Sequence, residues 1–244
     1  PHLLLKNKLI QFFANQNNFE FHINLKILVK FKRKFNHNSN VYDPNNPVGT
    51  FFMREFEKEG HLLSSANSEL SYLLATASHF DEKVKNDIFK NLSNYAMYVY
   101  QIRSNSKGKI KNFFGIPFVA YKFNKKDHEQ IKLAFNRLSK FFLDYGIEQM
   151  YFPIEGSKSI QNQSYSKDLI SNFKTKKLHL VSVHGMGSLR SGAEDNVHTD
   201  YHGKLKNFNN IFINDASILP GNTGESPQAS VMAMVKNNIK NIKL

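Results

Sequence analysis

The chain has 244 residues, 41% of them hydrophobic, with a formal charge of +13 and no cysteine. That length holds one large domain or two smaller ones around a sizeable core, and the apolar content excludes a disordered chain. Without cysteine there are no disulfides or thiolate metal sites, the compartment stays open with the cytoplasm as the expectation, and no apolar run approaches the roughly 20 residues of a membrane helix.

Residues 19–35 alternate polar and apolar for part of their length, which predicts a strand with one buried face. From Asn36 to Gly49 the composition is that of a loop, either an unstructured crossing or a substrate lid. Leu62 to Phe80 reads as helical, with Leu63, Leu70, Leu73, Leu74 and Ala77 recurring at three and four. Residues 81–90 read as a second helix or an exposed connection, 96–103 as a strand and 105–108 as its turn. Ile116 to Phe123 alternates again, and its early Pro117 suits the start or edge of a strand.

Asp127 to Tyr145 is the clearest helix of the first two thirds. Ile131, Ala134, Phe135, Leu138, Phe141 and Phe142 form one stripe, and Gly146 stands at the C-terminal cap. Glu148–Ile154 follows as a strand, and the Ser-, Asn- and Lys-rich stretch 155–177 as a long surface connection. Leu178 to Val183 alternates and predicts a buried strand ending at His184. Ile211 to Ser217 reads as a short parallel-type strand ending in Asp215, and a helix follows Pro227, with Ser226 as its N-cap.

Chemistry concentrates in this last third. Gly185 and Gly187 turn the backbone sharply beside the His184 imidazole and leave space for a planar ligand. A neutral histidine is the natural acceptor for a hydroxyl proton near pH 7. Acids and backbone N–H groups at strand ends grip nucleotide cofactors, which points to Asp215. The helix start at Ser226, Pro227 and Gln228 offers unpaired N–H groups and the positive end of a dipole. His198-x-Asp200-x-His202 has the alternation of a metal-ligand set, but it stands in a turn-rich stretch and no metal site is assigned.

The order His184-Gly185-Met186-Gly187-Ser188, then Asp215-Ala216-Ser217, then Ser226-Pro227-Gln228 resembles the C-terminal signature of the glucose–methanol–choline (GMC) family of FAD-dependent oxidoreductases. The resemblance covers the last sixty-odd residues well and the preceding hundred loosely. It implies FAD as cofactor, His184 as the base facing the flavin, Asp215 and Ala216 along the ribityl and diphosphate, and the start of the last helix at the anionic end of the reduced ring. Arg190 matches the family's basic residue after the turn, or is only a surface cation or a local ion pair; Asp200 matches a family Asp. At the family's second catalytic position, usually Asn-Pro or a second His, stands Ser226, whose hydroxyl can donate a hydrogen bond but cannot act as acid or base near pH 7.

The family also carries a glycine-rich nucleotide fingerprint near its N-terminus, and no Gly-x-Gly-x-x-Gly occurs in this chain. The resemblance therefore implies the C-terminal part of a longer enzyme. Residues 1–177 would be a partial substrate-binding domain, and 178–244 would complete an FAD-binding domain whose Rossmann half is absent. The expected fold class is α+β, and the chain by itself is expected to be inactive and flavin-free. The expected activity is that of an alcohol oxidase or dehydrogenase on a small-molecule alcohol, with the electron acceptor open. The competing reading is a non-catalytic basic module for nucleic acid or an acidic partner. Against it, only five of the 33 basic residues are arginine and the lysines are spread along the chain.

Overall fold

A computed structural model describes residues 1–9, 18–34, 52–66, 70–192 and 197–241 of the chain. It is an α+β protein in two compact units that interleave along the sequence. One unit comprises residues 23–102 and 128–181; the other comprises 1–22, 103–127 and 182–244. Residues 1–22 and 103–127 thus cluster with the C-terminal segment that carries the expected chemistry.

The first unit is built on strands β1 (Glu20–Lys30), β2 (Phe52–Met53), β3 (His61–Ser65), β4 (Tyr95–Arg103) and β7 (Gln149–Tyr151) in the order β2-β3-β4-β1-β7. β2 with β3, β3 with β4 and β1 with β7 are antiparallel, the last in the register Leu28 opposite Tyr151. Ile23, Leu25, Ile27, Leu28 and Val29 of β1 are all fully buried, so both faces of this strand are covered. A single buried face was expected from the alternation; a central strand covered on both sides reads as a near-continuous apolar run instead.

Helices α2 (Leu70–Thr76), α3 (Glu82–Lys90), α4 (Lys125–Tyr145) and α5 (Gln163–Asn172) complete this part of the fold. Asp81 caps α3 by accepting from the Val84 N–H at 3.1 Å. The α4 stripe is buried through Ile131, Ala134, Phe135, Leu138 and Phe142, and Phe135 stacks on Phe152 at 4.1 Å. Gly146 ends that helix with a φ of +86°, as its position predicts. Leu73, Ala77, Ile88 and Tyr95 form a second core cluster with Leu28.

Two readings of this region are corrected. Leu62–Ser65 lies in β3, not in a helix, and α2 spans Leu70–Thr76. The paired Leu62 and Leu63 satisfy either period, and partnership with β4 decides for strand. The stretch 155–177 contains α5, capped by the Asn162 side chain on the Tyr165 N–H, with Ser166 and Ile170 buried. The loop reading at 36–49 lies outside the described residues.

The second unit contains α1 (His2–Lys6), the first residues of β1, the hairpin β5 (Lys109–Phe113) with β6 (Ile116–Ala120), the short β8 (Gly185–Met186) and α6 (Gln228–Asn241). The hairpin turns at Phe114 and Gly115, both at positive φ, as a two-residue turn between twisted strands requires. Asp127 is fully buried and accepts hydrogen bonds from the Asn105 N–H at 2.6 Å and the Ser104 hydroxyl at 3.2 Å. Leu4, Leu189, Leu205 and Ile218 form the apolar centre of this unit.

Candidate active site

β8 pairs antiparallel with the start of β1, Met186 opposite Glu20 and Gly185 opposite Phe21. The same register sets His184 opposite His22, and residues opposite each other in an antiparallel pair project to one face. The two imidazoles meet there with Nδ1 to Nδ1 at 3.2 Å and ring planes at 80°. His22 is completely buried and His184 half-buried.

Burial pushes the His22 pKa down to about 4, helped by the neighbouring His184 and the Arg103 cation and opposed by the Asn222 side chain. Burial also holds His184 below the ordinary histidine value. Both rings are therefore neutral at pH 7, the state in which an imidazole can take up a proton.

The run 178–183 is not a regular strand. It makes only isolated bridges, Leu178 to Ile154 and Val181 to Asn24, and Val183 is 73% exposed. Alternation alone does not make a strand where no neighbour offers a continuous ladder. Gly187 makes the expected turn, but the space expected beside the two glycines is taken up within the chain. A Cβ at Gly185 would lie 2.8 Å from the Phe19 ring, and one at Gly187 would lie 2.7 Å from the Asn18 carbonyl. Gly187 has φ +75° besides. The space beside these glycines is filled by residues 18 and 19.

Ile211–Ser217 is likewise not a parallel strand. Phe212 makes one antiparallel bridge with Lys204, and Ala216–Ile218 forms a 3-10 turn. The exposed Asp215 caps that turn through the Ser217 N–H at 2.7 Å. The turn and the His184 loop are joined directly: Gly187, Leu189 and Ser191 donate their N–H groups to the carbonyls of Ala216, Ser217 and Ile218 at 3.3, 2.8 and 3.1 Å. Two segments that the sequence singles out separately are one hydrogen-bonded structure.

α6 begins at Gln228, and the Pro227 carbonyl accepts the first in-helix bond from Val231 at 2.8 Å. Pro227 thus stands one residue outside its expected position, and Ser226 does not cap the helix. Ser226 is exposed and makes no hydrogen bond with any described residue, His184 included. Gln228 is exposed as well, while Pro227 is buried. Asp200 accepts from the N–H groups of His202 and Lys204, both at 2.9 Å, so its carboxylate closes its own turn. Among the described residues no three metal-ligating side chains converge.

Three residues of this site escaped sequence reasoning: Glu20, His22 and Asn222. The buried Glu20 carboxylate pairs with Arg190 at 2.6 Å and accepts the Asn222 N–H at 2.9 Å. Asn222, 3% exposed, donates its amide to the Phe21 carbonyl at 2.8 Å and accepts from the Gly224 N–H at 3.0 Å. Arg190 therefore serves a local ion pair. In the sequence Glu20 and His22 stand at the head of an expected strand, on the side opposite its apolar residues.

The GMC oxidoreductase family profile matches residues 105–234, just over half of the chain. The chain belongs to the GMC oxidoreductase family. Among curated relatives, two uncharacterised GMC-type oxidoreductases of Mycobacterium tuberculosis are 23% identical over 140 residues, 57% of this chain and 22% of theirs. An uncharacterised GMC-type oxidoreductase of Sinorhizobium fredii is 24% identical over 145 residues, 56% of this chain and 28% of its own. The crystal structure of pyridoxine 4-oxidase from Mesorbium loti superposes with a TM-score of 0.58 at 15% identity, covering 96% of this chain and 44% of that one. This GMC-family chain thus spans less than half the length of each. Its matched span contains His184, Asp215, Ala216, Ser226, Pro227 and Gln228, and it starts well after Glu20 and His22.

Proposed function

We propose that this chain carries the catalytic end of an FAD-dependent oxidoreductase that acts on the CH–OH group of a small-molecule alcohol. The observation that carries the reading is the state of His184: a neutral, half-buried imidazole, fixed at one nitrogen by His22, on a loop bonded to the Ala216–Ile218 turn.

The residues present fit the flavin end of the cofactor. Ser226 and Gln228 are exposed at the start of a 14-residue helix, where the first N–H groups have no in-helix partner. Ala216 is half-buried beside the exposed Asp215, and its carbonyl is bonded into the His184 loop by the Gly187 N–H. Asp215, Ala216, Pro227 and Gln228 would hold the cofactor, which when bound would supply the acceptor for the hydride leaving the alcohol carbon.

His184 takes the hydroxyl proton at the ring nitrogen not held by His22, which makes the oxygen electron-rich enough to expel hydride from its carbon. Ser226 donates a hydrogen bond to that oxygen and carries no proton away. His22 stays neutral, so the proton taken up remains on His184.

The test is His184→Ala in the full-length enzyme. Bleaching of the flavin band by substrate should slow by about 10²–10⁴-fold with FAD still bound. An unchanged reduction rate removes His184 from the chemistry.

A further inference from the structure

Two ring nitrogens at 3.2 Å share one proton: a donor must face an acceptor. The Nδ1 atoms of His22 and His184 therefore cannot both be protonated or both be bare without losing this contact. Two neutral arrangements remain. Either His184 donates and its Nε2 is a bare lone pair, or His22 donates and His184 Nε2 carries a hydrogen. Only the first leaves His184 able to accept a proton.

The surroundings of His22 bear on the choice. It is completely buried, and its Nε2 has no hydrogen-bond partner among the described residues. The charged and polar groups facing it are His184, Arg103 and Asn222. Arg103 disfavours a charged ring, while the Asn222 side chain favours a proton on it. Of the two arrangements the base role of His184 requires the first, with the Nδ1 of the buried His22 as the acceptor and its own proton on Nε2.

We propose that His22 is a positioning residue for His184, accepting the Nδ1–H of His184 on its own Nδ1 and so holding His184 with Nε2 unprotonated toward the reacting alcohol. The inference rests on the reading of His184 as the base. It adds a residue 162 positions away in sequence, outside the span matched to the family. The proton balance is simple: the hydroxyl proton moves to His184 Nε2, the Nδ1–H of His184 stays where it was, and His22 accepts the same hydrogen bond before and after. That bond strengthens when the donor becomes an imidazolium, which stabilises the step at the moment charge develops.

The experiment is long-range ¹H–¹⁵N correlation on protein labelled with ¹⁵N-histidine at neutral pH, with His22→Asn and His184→Gln used for assignment. Wild-type His184 should show the Nδ1–H pattern with a bare Nε2, and His22 the Nε2–H pattern. The reverse pattern overturns the proposal.

His22→Asn keeps an acceptor oxygen near the old Nδ1 position and should preserve the His184 tautomer; His22→Leu should lose it. In the flavin-loaded enzyme His22→Leu should lower kcat roughly 10–100-fold with KM little changed and the acid limb of the rate profile displaced, and His22→Asn should restore most of the rate. His22→Leu with an unaltered tautomer and unaltered rate refutes the role. If His184→Ala is harmless, the base reading falls. If the tautomers are reversed while His184→Ala is severe, only the role of His22 falls.

Discussion

The Glu20 carboxylate accepts from Arg190 Nη2 at 2.6 Å with one oxygen and from the Asn222 N–H at 2.9 Å with the other. It thereby ties the strand that carries His22 to the loop that carries His184 and to the approach to α6. Its side chain is 10% exposed and that of Arg190 23%. Gly221 allows the close approach, since a Cβ there would lie 3.2 Å from both carboxylate oxygens.

Breaking this pair from one side leaves a charge without its partner in a dry setting. Glu20→Ala should cost about 3–5 kcal/mol of stability, read as a shift of the urea midpoint at constant slope. Glu20→Gln keeps an acceptor for Asn222 and should cost less. A cycle with Arg190→Met should return a coupling of about 0.5–3 kcal/mol. Additive single and double variants would show that Glu20 and Arg190 act independently.

Gly187 is held at φ +75° with the Asn18 carbonyl where a Cβ would go. Backbone atoms cannot swing aside as a flexible side chain can. Gly187→Ala should therefore destabilise by about 1–3 kcal/mol and displace the His184 loop from the Ala216 turn. Weakened hydrogen-exchange protection of the Gly187 and Leu189 amides would show the displacement. A stability equal to wild type would mean that Asn18 does not pack as described.

What the sequence revealed depended on how local each signal was. The α4 stripe and its terminal Gly146 lie within one element, so they could be read directly, as could α6. The His184 and Asp215 motifs were legible for the same reason, each being a few residues long. α5 was not, because only Ser166 and Ile170 of its ten residues are buried and its capping Asn162 sits in a polar run. Leu62–Ser65 fits both periods, and the choice falls to β4, more than thirty residues on. His22 and Glu20 look like the solvent side of an alternating strand; partners some 160 to 200 residues away bury them.

Ser226 offers a clean separation of function from folding. Its exposed hydroxyl makes no hydrogen bond with any described residue, and the Pro227 carbonyl starts α6 without it. Ser226→Ala should change stability by no more than about 0.5 kcal/mol. A drop in alcohol oxidation by the complete enzyme then measures a hydrogen bond to the substrate oxygen. Turnover equal to wild type would mean that Ser226 makes no such bond.

Acid should destabilise the fold through its histidines before its carboxylates. Burial pushes His22 down to about 4, with His184 and Arg103 adding to it, and His79 falls to about 4 by burial and by its stacked neighbour His179 at 4.1 Å. Each has a folded pKa below the unfolded value of 6.5, so as pH falls the unfolded chain binds the proton first. Stability is then complete above pH 6.5, declines as pH drops toward about 4, and levels off below it. Each such histidine contributes a slope of at most about 1.4 kcal/mol per pH unit. Asp87, lowered by Tyr95 and Lys30, loses its contribution only below its ordinary 3.8, outside this window. Urea midpoints compared at about pH 7.5 and about pH 5 should therefore fall at the lower value, and His22→Asn should flatten the slope. A midpoint that holds or rises over this interval would mean that His22 and His79 are protonated in the folded protein.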